Sequence, residues 1–296
     1  MHWPPRRILV GTDFSDSALA ALRAAAALAR RIGASIDLVH ALPETPAAIV
    51  GFEPLDALLS GPVDPSALRA RAIERMEALA REVAPDSMRL HVVQGAPDTE
   101  LVALRGRLDS DLIALGAGAL RGLRRLLLGS VAERVLRRPG APLLLVESAP
   151  PAGEFKKIVV AQNDPGVATP WLELALRLAH DERSEVLVVH VVRGPQDGAK
   201  SRHVSLEPEH AAAQLSGLLA RLAPTVPARV DVRRGDPAHE IVAAARADGA
   251  HLVVMGGERN RTGWPGRIAD AVAHAGLPAL LVVWPESESI EDFDEA

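Results

Sequence analysis

A glycine-containing loop in the first half of the chain leads from an apolar segment into a helical pattern. The apolar run 112–115 ends at Gly116, and Gly129 and Ser130 come directly before the helical residues. Backbone amides at the start of a helix attract anions, and a glycine lets a phosphate approach the main chain closely. Gly129, Ser130 and Val131 are therefore candidates for a phosphate-binding site.

A structural role for the same residues is also compatible with the sequence. Ser130 and Glu133 have the spacing of a capping box, in which the serine hydroxyl accepts from the amide of Glu133 and the glutamate reaches back. Such a cap stabilises a helix by about 1 kcal/mol. Arg124 and Arg125 could add contacts to a phosphate or could be exposed surface residues. The sequence leaves both roles open.

Strand and helix patterns alternate along this half of the chain. Apolar runs of strand length occur at 8–10, 36–41, 90–93, 112–115 and 143–146. The first run is followed by residues with the spacing of one helical face, namely Ala18, Leu22, Ala25, Ala29 and Ile32, and then by Gly33 at a helix C-terminus. Apolar strands separated by amphipathic helices are typical of a parallel sheet covered on both faces. The sequence predicts an α/β, doubly wound fold with the strand order 3-2-1-4-5.

The second half of the chain repeats this pattern. RILVGTDFSD at 7–16 is similar to KIVVAQNDPG at 157–166, and LIALGAG at 112–118 is similar to LVVMGGE at 252–258. We therefore predict two tandem five-stranded domains, 1–149 and 150–285, related by a pseudo-twofold axis. The remaining residues, 286–296, carry six acidic and no basic side chains, and we expect a disordered tail.

The predicted topology brings two polar loops together. Ligands of open α/β sheets bind beyond the carboxyl ends of the strands, where the winding direction reverses. In the order 3-2-1-4-5, strands 1 and 4 are neighbours at that point. The loop GTDFSD, which contains Thr12 and Asp13, and the loop that ends at Gly129 and Ser130 would then face one crevice.

These two stretches resemble the universal stress protein family. Gly116, Ala119 and Gly129-Ser130 have the spacing of its motif Gly-x2-Gly-x9-Gly-Ser/Thr, and RILVGTDFSDSALAAL resembles its opening strand, acidic turn and helix. The similarity covers nearly the whole chain, twice over. The resemblance implies a stress-response protein that binds ATP, and tandem members of the family have this two-domain organisation.

The resemblance assigns roles to residues of the first domain. Asp13 matches the acidic residue near the adenosine and the metal, so it implies Mg²⁺ bound with the nucleotide. Ala41 matches a position whose backbone meets the adenine, and Gly116, Gly129 and Ser130 match the glycines and hydroxyl around ribose and phosphates. Thr12 and Val131 flank these positions.

Ala119 departs from the family pattern because it replaces the second glycine of the motif. Its methyl group is tolerated if the backbone φ angle is negative and obstructs the loop if φ is positive.

The second copy departs further from the motif. Asn163 replaces the acidic residue, and Arg259 replaces the second glycine. Only six residues precede Gly266-Arg267 where the family has nine, so the loop is three residues short. We therefore expect ATP, with Mg²⁺, in the first domain only.

The last strand of each domain is an apolar edge strand, which exposes unpaired backbone groups unless it is covered. In the resembled family, paired domains join through these strands. We predict that Leu143–Val146 and Ala279–Val283 pair antiparallel. The sequence leaves open whether two copies of the chain form a homodimer.

Composition excludes several classes of function. The chain has no cysteine, which excludes disulfides and thiolate chemistry, and no histidine cluster has the spacing of a metal site. The net charge of −5 would become +1 without the six acids of the tail, so no nucleic-acid-binding surface is indicated. No apolar segment reaches the roughly 18 residues of a spanning helix, and no signal-peptide pattern follows the basic start, so we expect a cytoplasmic protein without membrane contact.

Some polar residues are expected to be structural. His40 and His190 correspond in the two copies, each near a strand end, and are expected to be partly buried and hydrogen-bonded. Asp98 or Thr99 is expected to cap the helix that follows Pro97.

Three functions remain to be weighed. The favoured one is ATP binding with a regulatory role; no water-activating base is evident, so the protein is not expected to be an enzyme beyond slow hydrolysis. The alternative is a nucleotide-free interaction protein whose crevice is filled by Ala119 and Leu120. A nicotinamide oxidoreductase is disfavoured, because GAGALRG follows the fourth strand and a dinucleotide fingerprint follows the first.

Overall fold

The computed structural model describes residues 4–42, 64–83, 88–118, 128–138, 142–150, 154–192, 207–257 and 266–284. The first half contains β1 (Arg7–Gly11), α1 (Asp16–Ile32), β2 (Ser35–Leu42), α2 (Pro65–Val83), β3 (Met88–Gln94), α3 (Pro97–Leu108), β4 (Leu112–Gly116), α4 (Ser130–Leu136) and β5 (Leu143–Val146). The second half contains β6 (Lys157–Ala161), α5 (Pro170–Glu182), β7 (Glu185–Val192), α6 (Pro208–Leu222), β8 (Ala228–Arg234), α7 (Pro237–Asp248), β9 (Leu252–Gly256), α8 (Arg267–Ala273) and β10 (Ala279–Val283). Ala119, Leu120, Arg124, Arg125, Arg259 and the acidic tail lie outside the described residues.

All ten strands form one sheet in the order β3-β2-β1-β4-β5-β10-β9-β6-β7-β8. The strands within each half are parallel, and each half has the predicted order 3-2-1-4-5. The second half repeats that order in reverse, as a pseudo-twofold relation between the halves requires. The α/β fold predicted from the sequence is confirmed.

The two halves meet at the strands that were expected to pair. β5 and β10 are antiparallel, with Ala279 opposite Val146 and Val282 opposite Leu143. Every residue of both strands is buried. This pairing covers the edge that each five-stranded half would otherwise expose, and it makes the sheet continuous.

Helices cover the sheet on both faces. One core contains side chains of α1 and α2, such as Leu22 and Met76, and the other contains side chains of α3 and α4, such as Leu101 and Val135. Residues that alternate along the strands, such as Ile8 and Leu9, belong to opposite cores, as the two-residue period of a strand requires.

Helix α1 is a long alanine-rich helix with regular ends. Ser15 is its N-cap and accepts from the amide of Ala18, and Gly33 ends it in the left-handed region with φ 72°. The predicted C-terminal role of Gly33 is confirmed, because that conformation favours glycine. Alanines cover much of its buried face, so its backbone can lie close to the sheet.

The corresponding helix of the second half is shorter. α1 has 17 residues and is followed by the C-cap Gly33, whereas α5 has 13 and is followed by the equivalent C-cap Arg183. The missing turn lies at the N-terminus, where α5 begins only at Pro170. The two crevices at the carboxyl ends of the strands are therefore bordered differently.

Two predicted caps are wrong. The N-cap of α4 is Gly129 and not Ser130, and the carboxylate of Glu133 pairs with Arg137 at 2.5 Å instead of reaching back. Neither Asp98 nor Thr99 caps α3, whose N-cap is Ala96 without a side-chain bond. Each acidic side chain has an arginine partner within reach, and this ion pair replaces the local bond to the helix end.

Candidate functional site

The crevice of the first half lies at the carboxyl ends of β1 and β4. These strands are neighbours, with Val10 opposite Ala114, so the residues that follow them meet at one edge of the sheet. β2 extends beyond β1, since Gly11 is opposite Val39 and Ala41 comes two residues later. Thr12 and Asp13, Ala41 and Gly116 thus lie around one opening, and the loops that follow β1 and β4 start at the same edge, as the topology predicted.

A tight turn follows β1 and fixes the position of Asp13. Its carboxylate Oδ1 accepts from the amide of Ser15 at 2.9 Å, and the hydroxyl of Thr12 accepts from the amide of Phe14 at 3.0 Å. Phe14 has φ 65°, which is uncommon for a bulky side chain. Thr12 is buried, whereas Asp13 is exposed at the rim.

His40 supports this turn from below. Its Nδ1 lies 2.9 Å from the carbonyl oxygen of Thr12, and because a carbonyl only accepts, Nδ1 carries the proton. Burial lowers the pKa of His40, so the ring is neutral at neutral pH. The ring of Phe14 packs on His40 with centroids 4.5 Å apart, and the guanidinium of Arg75 lies 3.9 Å from the centroid of Phe14. The predicted hydrogen bonding is confirmed for His40 and for His190, whose Nδ1 lies 2.9 Å from the carbonyl of Gln162, and both rings are more fully buried than predicted.

Three glycines border the opening on the β4 side, namely Gly116, Gly118 and Gly129. A Cβ on Gly116 would lie 2.6 Å from the amide nitrogen of Ala18, and a Cβ on Gly129 would lie 2.9 Å from the carbonyl oxygen of Gly118. Packing of α1 against β4 is sufficient to require a glycine at position 116. Gly129 in turn lies against the segment that directly follows β4, and its amide donates to the carbonyl of Ala117 at 3.1 Å.

Ion pairs fix the helix that begins at Ser130. Arg134 donates to Asp98 on α3 at 2.9 Å, and Arg138 lies 3.2 Å from the same carboxylate, which is buried. Ser130 and Val131 form the first turn of α4, where amides have no intrahelical partner. The pair of arginines on Asp98 therefore holds this end of the loop in place.

Ser17 and Glu147, which the sequence analysis did not assign to the site, also border the opening. A Cβ on Gly118 would lie 2.9 Å from the hydroxyl of Ser17 and 3.5 Å from Oε2 of Glu147. Glu147 directly follows β5, and Ala117 donates to the carbonyl of Val146 at 2.9 Å, which brings the two chain segments together. The available signal was an acidic residue immediately after the last apolar strand of the domain.

The equivalent crevice of the second half is filled by its own side chains. Gln162 stands where the first half has Thr12, and its amide donates to the carbonyls of Asp164 at 2.6 Å and Val167 at 2.7 Å. The hydroxyl of Thr169 donates to the same side chain at 2.8 Å. This network closes the turn that follows β6.

Two tryptophans occupy the rest of that crevice. Trp171 packs on Gly256, where a Cβ would lie 2.7 Å from its ring, and its Nε1 donates to Ala161 at 3.0 Å. Trp284 packs on Gly257, where a Cβ would lie 2.5 Å from Nε1. The strand registers place Trp284 at the position equivalent to Glu147, since Val146 is opposite Gly116 and Val283 is opposite Gly256.

Both halves match one family of proteins. The sequence profile of the universal stress protein family matches residues 5–147 and again residues 154–282. The chain belongs to the universal stress protein family. It is a tandem member, because each half is matched separately.

Curated relatives and solved structures agree with this assignment. Universal stress protein MJ0531 of Methanocaldococcus jannaschii is 28% identical over 144 residues, 48% of this chain and 82% of that protein. Universal stress protein Rv2005c of Mycobacterium tuberculosis is 30% identical over 210 residues, 66% of this chain and 67% of that protein. A universal stress protein structure from Archaeoglobus fulgidus has the same fold, with a TM-score of 0.68 at 18% identity, over 95% of this chain and 97% of that one.

Outside this crevice, the described structure has a further cavity whose charged side chains are paired. A cavity of about 610 Å³ lies between β7, β8 and α7, but its charged side chains pair with one another, Arg229 with Asp248 and Arg233 with Asp231. No cluster of three potential metal-binding side chains occurs among the described residues. None of the described helices has the length and apolarity to cross a membrane.

Proposed function

We propose that this universal stress protein binds ATP with Mg²⁺ in its first domain and acts by binding rather than by turnover. The observation that carries the proposal is the contrast between the two crevices. The first is bordered by the glycines Gly116, Gly118 and Gly129, whereas Trp171 and Trp284 pack on the equivalent strand end of the second. Family membership and the motif spacing of the first domain support the same assignment.

The residues present in the first crevice fit the chemistry of the ligand. Thr12, Asp13, Ser17 and Glu147 supply only oxygen atoms, which are the donors that Mg²⁺ prefers. Gly129 precedes α4 without a side chain, so its main chain can be approached closely. Asp13, Gly129, Ser130 and Val131 would hold the nucleotide, with Ala41 beside its base. ATP carries the negative phosphates that these groups would bind.

A regulatory role follows from what the crevice offers. His40 is the buried histidine closest to the turn, and its Nδ1 proton is engaged by Thr12. It therefore holds the turn rather than exchanging protons with a substrate. We expect hydrolysis to be slow, and nucleotide occupancy to be what partners of the protein sense.

A calorimetric titration of the full chain with Mg·ATP tests the proposal. We expect one site per chain with a dissociation constant of roughly 1 μM, or about −8 kcal/mol. Any nucleotide that co-purifies is first removed and identified. Two sites would contradict the assignment of the second domain, and no binding would favour a nucleotide-free interaction protein.

A further inference from the structure

We propose that Glu147 makes ATP binding in the first domain dependent on a divalent cation, which its carboxylate and the phosphates hold between them. The inference rests on the proposed function and adds a specific requirement to it. It concerns a residue outside the glycine motif and outside the turn that contains Asp13.

The position of Glu147 beside the glycines is the first argument. Its Oε2 lies 3.5 Å from the place that a Cβ on Gly118 would take, and the hydroxyl of Ser17 lies 2.9 Å from that place. A Cβ on Gly129 would lie 2.9 Å from the carbonyl of Gly118. The carboxylate, the hydroxyl and the loop that ends at Gly129 therefore meet at one glycine.

The charge of Glu147 is the second argument. The structure gives its carboxylate no ion pair with any described cation. The described arginines on α4 and directly after it are engaged elsewhere, Arg134 and Arg138 with Asp98 and Arg137 with Glu133. A carboxylate at this place repels phosphates bound to the neighbouring backbone unless a cation lies between them.

A divalent cation resolves this repulsion. Mg²⁺ is typically bound by one or two carboxylates together with substrate phosphates and water, so a carboxylate beside a phosphate site provides one ligand. The hydroxyl of Ser17 adds a second oxygen on the same side.

The second domain fixes the backbone of Glu147. The amides of Glu147 and Ser148 both donate to the carbonyl of Pro278, at 2.9 and 3.2 Å. Pro278 directly precedes β10, so the residue that borders the first crevice is held by the other half of the molecule. The equivalent position of the second crevice carries Trp284, which cannot bind a cation through oxygen.

The test compares ATP binding with Mg²⁺ and with EDTA by calorimetry, in wild type and in Glu147→Gln. We expect wild type to bind at least about tenfold more tightly with Mg²⁺, and Glu147→Gln to reduce that ratio to about twofold or less, because glutamine neither repels phosphate nor binds the cation as a carboxylate does. Glu173→Gln is the matched control: it removes the same charge from an exposed site on α5, and we expect it to keep the wild-type ratio.

Three outcomes would overturn the inference. If wild type binds ATP equally well with and without Mg²⁺, Glu147 has no such role although the proposed function stands. If Glu147→Gln keeps the wild-type ratio of ATP affinity with and without Mg²⁺, the cation ligand lies elsewhere. Loss of that ratio in Asp13→Asn but not in Glu147→Gln would lead to the same conclusion. If wild type binds ATP under neither condition, the proposed function and this inference fail together.

Discussion

The roles of some single residues could not be assigned from the sequence, as three cases show: Glu133, Glu147 and Trp284. The spacing of Ser130 and Glu133 fits a capping box, but Arg137 lies one helical turn from Glu133 and takes its carboxylate instead. The roles of Glu147 and Trp284 depend on contacts between neighbouring strands that are distant in sequence. The structural, hydrogen-bonded role of His40 was assigned correctly from its place near a strand end, although its burial is more complete than expected.

At the residue scale, the protonation of His40 gives a pH dependence. Its pKa is lowered by burial, so the unfolded chain takes up the proton first, near the ordinary pKa of about 6.5. The contribution of this residue to the free energy of unfolding is therefore present above that pH and is lost as the pH falls toward the lowered value.

Urea unfolding of wild type and of His40→Gln, at neutral and at mildly acidic pH, measures this effect. We expect the variant to lose less stability on acidification. His239→Gln is the control, since that side chain is largely exposed. An unchanged pH dependence in His40→Gln would contradict the assignment.

At the scale of elements, the alternation of strands and helices was predictable, but the length of α5 was not. Thr169-Pro170 supplies a favourable helix start, with the threonine hydroxyl as cap and proline in the first turn, one turn later than in α1. Trp171 then fills space that the first turn of α1 occupies in the other domain. The sequence alone does not predict that an indole ring replaces a turn of helix, because the two copies must first be compared in their positions on the sheet.

The close packing of α1 on β4 predicts the effect of a single methyl group. In Gly116→Ala the added Cβ would meet the backbone of Ser17 and Ala18 at 2.6 Å, and a main chain cannot move aside cheaply. We expect a loss of about 3 kcal/mol in the free energy of unfolding, measured by urea denaturation.

Gly106→Ala is the matched control for this variant. Gly106 lies in α3 with nothing within 4 Å of its added Cβ, so alanine should stabilise the helix by up to about 1 kcal/mol. Equal effects of the two substitutions would show that α1 does not pack as described.

At the scale of the whole molecule, the order of ten strands follows from one pairing. The sequence predicted that β5 and β10 would join, because two apolar edges remain exposed otherwise, and the structure has this pairing. What could not be predicted is that the second domain contributes Pro278 to the position of Glu147 in the first. The second domain thus helps to hold the backbone at the border of the first crevice.

A charge at the central pairing should uncouple the two halves. Leu281 is buried opposite Leu144, and Leu281→Asp would bury an unpaired carboxylate there. We expect wild type to unfold in one calorimetric transition and Leu281→Asp to unfold at lower temperature in two. Val167→Asp, on a side chain that is 50% exposed, should behave like wild type. A single unshifted transition in Leu281→Asp would contradict a shared sheet.

The tryptophans of the second crevice also give a fluorescence signal from that half of the molecule. The chain has four tryptophans and no tyrosine, and two of the four, Trp171 and Trp284, are buried against Gly256 and Gly257. None of the described tryptophans borders the first crevice. The fluorescence of Trp171 and Trp284 therefore reports on the folding of the second domain. Nucleotide bound in the first domain can alter their emission only through the sheet that both domains share.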